Sequence, residues 1–137
     1  MKNLLIFHDY GHHPNEIFNI IYNIKKIYKR RIIMIFQPHR YSRTKILFYN
    51  YINILSKVDI LILLDIYPAN ELNIFNINSY DLYSKIKKNK KNIIFYIKNI
   101  NFIKEIFLNI LKDNDIIIFQ GAGTINNILL NFFNETL

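Results

Sequence analysis

The 137 residues contain no cysteine and no tryptophan, and only three glycines, three prolines and two methionines. Without cysteine there is no disulfide framework, no thiolate nucleophile and no cysteine-based zinc site. No apolar run approaches the roughly 18 residues of a membrane helix, so no membrane partner is expected. Met1-Lys2-Asn3 and the apolar Leu4 to Phe7 resemble a leader only faintly. His8 and Asp9 interrupt them and no small-residue cleavage site follows, so the expected location is cytoplasmic. Acidic residues are also scarce, with 10 Asp and Glu against 18 Lys and Arg and a formal charge of +8. The basic side chains are nevertheless spread over many segments and carry no recognised nucleic-acid signature, so no nucleic-acid partner is expected. The run Lys85, Lys87, Lys88, Lys90 and Lys91 reads as a solvated helix end. What the chain does have is apolar surface: 51% of its residues are hydrophobic and 15% of the chain is Phe or Tyr, enough to exclude disorder and to build one core without staples.

That apolar surface is ordered along the chain. Leu4 to Phe7, Ile32 to Phe36, Ile60 to Leu64, Ile93 to Ile97 and Ile116 to Phe119 are short apolar runs without polar alternation, as in strands buried on both faces. Between them lie helical repeats. Pro14 opens one that carries Ile17, Ile20, Ile21, Ile24 and Ile27; a second, capped by Ser42, carries Phe48, Tyr51, Ile52 and Leu55. Ser79 caps a short helix to Lys88, and two more carry Ile103, Ile106, Phe107, Ile110 and Leu111, then Ile125, Ile128, Leu129 and Phe132. Regular alternation of this kind predicts one α/β domain over 1–137, an open, mostly parallel, Rossmann-like sheet with helices on both faces.

The loops that follow strands differ from those that precede them. The preceding loops hold mainly Lys, Arg, Asn and Asp, whereas the following loops hold Asp9-Tyr10-Gly11-His12-His13, Gln37 to Thr44, Asp65 to Glu71 and Gln120 to Thr124. Ligands of open parallel sheets bind at the carboxyl ends of the strands. Arg40 and Arg43, beside a helix N-terminus, form either a clamp for a carboxylate or phosphate or a solvated basic loop. Gly11 is expected to supply a positive φ in its turn. Gly121-Ala122-Gly123 is either an anion cradle or a tight turn into the last helix. Glu71 and Asp65 either orient the arginines or cap their own loop. His8, His12, His13 and His39 match no zinc spacing, and no metal is expected.

Four motifs, in order, carry a resemblance: Asp9-Tyr10-Gly11-His12-His13-Pro14, Phe36-Gln37-Pro38-His39-Arg40-Tyr41-Ser42-Arg43-Thr44, Leu64-Asp65-Ile66-Tyr67-Pro68-Ala69 and Gln120-Gly121-Ala122-Gly123-Thr124-Ile125. Together they resemble the C-terminal domain of the UDP-N-acetylmuramate:L-alanine ligases of the Mur ligase family, over essentially the whole chain. The resemblance implies a part in ATP-dependent amide-bond formation in peptidoglycan synthesis. Arg40 and Arg43 would hold the L-alanine carboxylate, Tyr10 and His12 would orient the amino acid, and Asp9 would contact the ATP ribose. His13, His39, Glu71, Gly121 and Gly123 stand beside them as supporting candidates. The implied cofactors are ATP and Mg²⁺, held mostly by a central ATPase domain, and the implied partners include UDP-N-acetylmuramate and a separate chain supplying the N-terminal and central domains. These residues contain no Gly-x-x-x-x-Gly-Lys-[Ser/Thr] and alone should not catalyse ligation. A non-catalytic remnant or stand-alone anion-binding module is the alternative, with a basic nucleic-acid-associated domain behind it. His8, Asn70 and Asn126 depart from the family pattern, which often has Asp, Gly and Gly there, and are expected to disturb loop geometry.

Overall fold

The computed structural model describes residues 3–136, without the side chains of 132, 133, 135 and 136. The expectation that Phe132 lies on a buried face falls outside that description. In chain order the elements are β1 (Leu5–Asp9), α1 (Pro14–Ile27), β2 (Ile32–Phe36), α2 (Tyr41–Ile46), α3 (Phe48–Leu55), β3 (Ile60–Leu64), α4 (Ser79–Asn89), β4 (Ile93–Ile97), a 3₁₀ turn (Ile100–Phe102), α5 (Ile103–Ile110), β5 (Ile116–Gln120) and α6 (Ile125–Thr136). The strands pair in the order β1-β5-β2-β3-β4, and every pairing is parallel.

Alternate side chains of these apolar strands feed two separate cores. Ile32, Met34, Phe36, Leu61, Leu63, Ile116 and Ile118 pack with α1, α3 and α4 through Ile17, Ile21, Tyr51, Leu55, Leu82 and Ile86. On the other face Ile33, Ile35, Ile60, Ile62, Ile117 and Phe119 meet α5 and α6 through Ile103, Phe107, Ile125 and Ile128. The return from β4 to β5 places β5 between β1 and β2. Its two neighbours send their next helices to the first face, while β5 sends α6 to the second. The carboxyl ends of β1, β5 and β2 therefore border the crevice where such sheets bind ligands.

Several local expectations are corrected. The helix after β2 is two helices, broken at Leu47 (φ −101°, ψ 20°), which ends α2 and precedes α3. Ser42 is not its cap: Arg40 occupies that position, and Ser42 lies in the first turn, where its N–H and hydroxyl both donate to Glu71. Asn78, not Ser79, caps α4, in a capping box with Asp81. The buried Ser79 hydroxyl instead donates to the Leu64 carbonyl at 2.6 Å, tying α4 to the end of β3. Strand β1 starts at Leu5 rather than Leu4 and takes in His8, which the sequence allows as the strand's end, and Asp9 beyond it, paired with Phe119 and Gln120 of β5.

At the opposite edge, the loops before β2 and β5 are joined by Arg31 and Asp115. Nε donates to Oδ1 at 2.9 Å and an Nη to Oδ2 at 2.6 Å, while the same Nη reaches the Ile110 carbonyl at 2.6 Å. Asp115 is buried and also accepts the Lys112 N–H at 2.8 Å. Asp115→Ala leaves the Arg31 guanidinium and the Lys112 amide short of partners, so we expect a loss of about 1–3 kcal/mol in urea denaturation; an unchanged midpoint would show that water replaces the carboxylate fully.

Candidate functional site

The turn after β1 is held by side chains from elsewhere in the fold. His13 is the N-cap of α1: its Nδ1 accepts the Asn15 N–H at 3.1 Å and its own N–H donates to Glu16, a capping box. His13 is thus spent on the helix. The His12 carbonyl accepts the hydroxyl of Tyr51, a buried residue of α3 whose phenol pKa is pushed well above 10 by burial. Asp9 accepts the Gly11 N–H on Oδ2 at 3.1 Å, and the Gln120 amide at 2.6 Å on the same atom. Tyr10 is 62% exposed at the edge, with its ring 4.4 Å from that of His8. Gly11 does not take a positive φ, contrary to expectation; a Cβ there would stand 2.7 Å from Asp9 Oδ2 and 2.8 Å from Glu16 Cβ, so crowding fixes the residue type.

The loop after β2 runs beside it. Residue 39 bridges residue 67, with the Arg40 N–H on the Tyr67 carbonyl and the Tyr67 N–H on the Pro38 carbonyl, both at 2.8 Å. The ring of His39 lies 5.4 Å from that of His12 on one side and 5.4 Å from that of Tyr67 on the other. An Nη of Arg43 is 3.3 Å from His39 Nδ1 and 3.3 Å from the His39 carbonyl. Arg40 has φ 75° and ψ 140°, a conformation that side chains disfavour. Three hydrogen bonds hold it there, from its N–H to Tyr67 and to its carbonyl from the Thr44 N–H at 3.3 Å and hydroxyl at 2.8 Å. Among the described residues the one salt bridge joins Arg31 to Asp115, so neither Arg40 nor Arg43 has a carboxylate at salt-bridge distance. Glu71 works on the loop itself: its pKa is lowered chiefly by the Ser42 hydroxyl and then the Ser42 amide, with Arg40 a smaller influence. Asp65 accepts the Tyr96 hydroxyl.

The Gly121-Ala122-Gly123 segment is a tight turn into α6, and an N–H group at each end of it has an internal partner. The Gly121 N–H donates to the Asp9 carbonyl at 3.0 Å, and the Ile125 N–H donates to Gln37 Oε1 at 3.1 Å. Gln37 Nε2 also reaches Thr124 Oγ1 at 2.8 Å. A Cβ on Gly123 would strike Gln37 Oε1 and Tyr67 Cγ at 2.6 Å. Asn70 sits at φ 68°, where asparagine is among the side chains best tolerated, so the turn is kept without the glycine. Asn126 lies in the first turn of α6, and half-buried His8 lies within β1. Among the described residues no group of three or more His, Asp or Glu side chains could hold a metal ion.

The sequence places the loops correctly on one edge and Tyr51 correctly on the buried face of its helix, but shows no role for Gln37, Gln120 or Tyr67 and none for the Tyr51 hydroxyl. Gln37 and Gln120 are buried polar residues closing apolar strands, and that abrupt change of polarity was the available signal.

The fold and this edge define an open, all-parallel α/β domain that gathers two unpaired arginines, two imidazoles and a carboxylate at the strand ends. The family described as Mur ligase, glutamate ligase domain matches residues 2–123, and the chain belongs to that family. It is 45% identical over 135 residues to the UDP-N-acetylmuramate–L-alanine ligase of Wigglesworthia glossinidia brevipalpis, covering 98% of this chain and 28% of that protein. The same enzyme of Vesicomyosocius okutanii is 48% identical over 130 residues, covering 93% and 28%. The chain thus spans little more than a quarter of these relatives. Among solved structures, the UDP-N-acetylmuramate–alanine ligase of Thermotoga maritima matches with a TM-score of 0.78 at 20% identity, over 98% of this chain and 27% of that one. A murein peptide ligase of Psychrobacter arcticus matches with a TM-score of 0.72 at 15% identity, over 97% and 27%.

Two outcomes follow from the geometry. Arg40→Gly relieves a backbone strain of about 1–3 kcal/mol, against roughly 0.4–1 kcal/mol of added unfolded-state entropy. The variant should unfold at higher urea than the parent, and a lower midpoint would mean that the guanidinium contributes packing. His39 is held below its ordinary 6.5, first by burial, then by His12 and by Arg43 and Arg40, with Glu71 opposing. In the window below 6.5 the unfolded chain binds the proton and the folded one does not, so this residue makes stability fall as pH falls. An NMR titration should find its midpoint below 6.5, and Arg43→Met should raise it without reaching 6.5, since burial remains.

Proposed function

We propose that this chain is the amino-acid-binding, C-terminal domain of an ATP-dependent UDP-N-acetylmuramate:L-alanine ligase of peptidoglycan biosynthesis. In that reaction ATP phosphorylates the muramyl carboxylate, the amine of L-alanine attacks the acyl phosphate, and phosphate leaves. The part taken by these residues is binding and orientation. Arg40 and Arg43 hold the alanine carboxylate through charge-assisted hydrogen bonds. Tyr10 and His12, in the loop after β1, orient the amino acid with its amine toward the acyl phosphate, and His39, neutral near pH 7, spaces the two loops by packing between His12 and Tyr67. Asp9 accepts a ribose hydroxyl of ATP. The ATP phosphates and Mg²⁺ lie on a central domain, since these residues hold neither a P-loop nor, among those described, a metal-ligand cluster.

The observation that carries this reading is the pair of arginines without carboxylate partners, one of them strained, on the edge that also bears the family's β1 motif. Two cations three residues apart, neither with a carboxylate at salt-bridge distance, can take an external anion, and an amino-acid carboxylate fits the bidentate geometry of guanidinium.

The test is phosphate release from ATP, Mg²⁺, UDP-N-acetylmuramate and L-alanine by a ligase truncated of its C-terminal domain, with and without this chain. Turnover is expected only in the mixture. Arg40→Ala or Arg43→Ala should each raise the alanine requirement about 10- to 150-fold, the equivalent of about 1.5–3 kcal/mol for a charge-assisted bond. A silent mixture of folded partners would remove the proposal, and an unchanged alanine requirement in both variants would remove the clamp.

A further inference from the structure

We propose that Gln120 is a positioning residue, whose buried amide sets the turn after β1 so that Asp9 and residues 10–12 meet their ligands in one arrangement. The identity of those ligands rests on the function proposed above, whereas the setting of the turn rests on geometry alone.

Gln120 is completely buried at the end of β5, directly across from Asp9 in the parallel register. Its Nε2 donates to Asp9 Oδ2 at 2.6 Å and to the Gly11 carbonyl at 2.7 Å, so both N–H bonds of the amide are used on one turn. Asp9 Oδ2 also accepts the Gly11 N–H at 3.1 Å. By itself that last contact is a local turn two residues long, of the kind that aspartate forms and breaks readily in solution. Gln120, 111 residues away, converts it into a tertiary one.

The choice of a neutral donor is informative. A lysine or arginine here would neutralise Asp9, and a glutamate would repel it. A glutamine fixes the carboxylate through Oδ2, outside which Oδ1 and the negative charge remain to accept from hydroxyl donors such as those of a ribose. The side chain has little room to turn away: it is buried, and even a Cβ on Gly11 would stand 3.3 Å from Nε2.

Gln120→Met keeps the length and burial and removes both donors. In this chain, amide exchange at Gly11 should accelerate at least tenfold while the amides of Ile116 to Phe119 keep their protection. In the reassembled ligase, KM for ATP should rise roughly tenfold with KM for UDP-N-acetylmuramate unchanged. In an Asp9→Ala background the same substitution should add little to KM for ATP, because the effect passes through Asp9. Gln120→Glu is the second variant, with a donor only when protonated, so Gly11 protection should recover on acidification. Unchanged exchange at Gly11, loss of protection shared equally by β5, or fully additive effects with Asp9→Ala would overturn the proposal. If wild-type reassembly gives no turnover but Gly11 exchange responds as described, the functional reading falls and the positioning role stands.

Discussion

The working edge depends on β5 lying between β1 and β2. The return from β4 to β5 reverses the direction of travel across the sheet, so a right-handed crossover carries α5 over the face opposite to α1, α3 and α4. Because β5 is flanked on both sides by parallel partners, Gln120 pairs with Asp9 on one side and with Phe36 on the other. The residues immediately beyond those strand ends then have no choice but to meet. Gly121 bonds back to Asp9, Gln37 bonds to Gln120 through the backbone, and the Gln37 side chain reaches forward to Thr124 and Ile125. A three-strand alignment in the core is in this way transmitted to three loops at the surface.

This gives a reason for the two buried glutamines, Gln120 at the end of β5 and Gln37 just past β2, beside strands made mostly of Ile, Leu and Phe. An uncharged amide offers donors and an acceptor without the desolvation cost of an ion. The two have divided the work between them. Gln120 spends its donors on the β1 turn, and Gln37 spends a donor and its acceptor on the start of α6. Gly11 and Gly123 are then confined by the same glutamines, each packed where a Cβ would meet a side-chain atom of the interlock. Three glycines in the whole chain suffice because each is at this edge.

The architecture was legible in the sequence because fully buried parallel strands advertise themselves as unbroken apolar runs, and Ile32–Phe36 and Ile60–Leu64 were read at their observed bounds. The gathering of the special loops on one edge was equally legible, since it follows from polarity and chain direction. The caps were not. Ser42 and Ser79 are good N-cap types, but tertiary partners captured both hydroxyls, Glu71 in one case and the Leu64 carbonyl in the other. The break at Leu47 was hidden because the apolar period continues across it from Thr44 to Tyr51. Roles for Gln37, Gln120 and Tyr51 were out of reach for a similar reason: each acts on a residue brought near only by the sheet order, which sequence periodicity does not encode.

The arginines give the sharpest contrast within the molecule. Arg31 lies at the structural edge, and there the fold supplies a carboxylate in bidentate geometry and a carbonyl as well. Arg40 and Arg43 lie at the other edge; the Glu71 carboxylate there feels the Arg40 charge but is committed to the Ser42 amide and hydroxyl. That commitment has two effects at once. It stabilises the first turn of α2, on which Arg43 is carried, and it leaves the two guanidiniums without a carboxylate at salt-bridge distance. The strain at Arg40 points the same way, because a glycine at that position would satisfy the backbone at lower cost. A charged side chain kept in an unfavourable conformation, next to a second unneutralised charge and a neutral imidazole, is costly to the folded chain alone. Its justification lies in what binds there, and on the proposed reading that is the carboxylate of an amino acid.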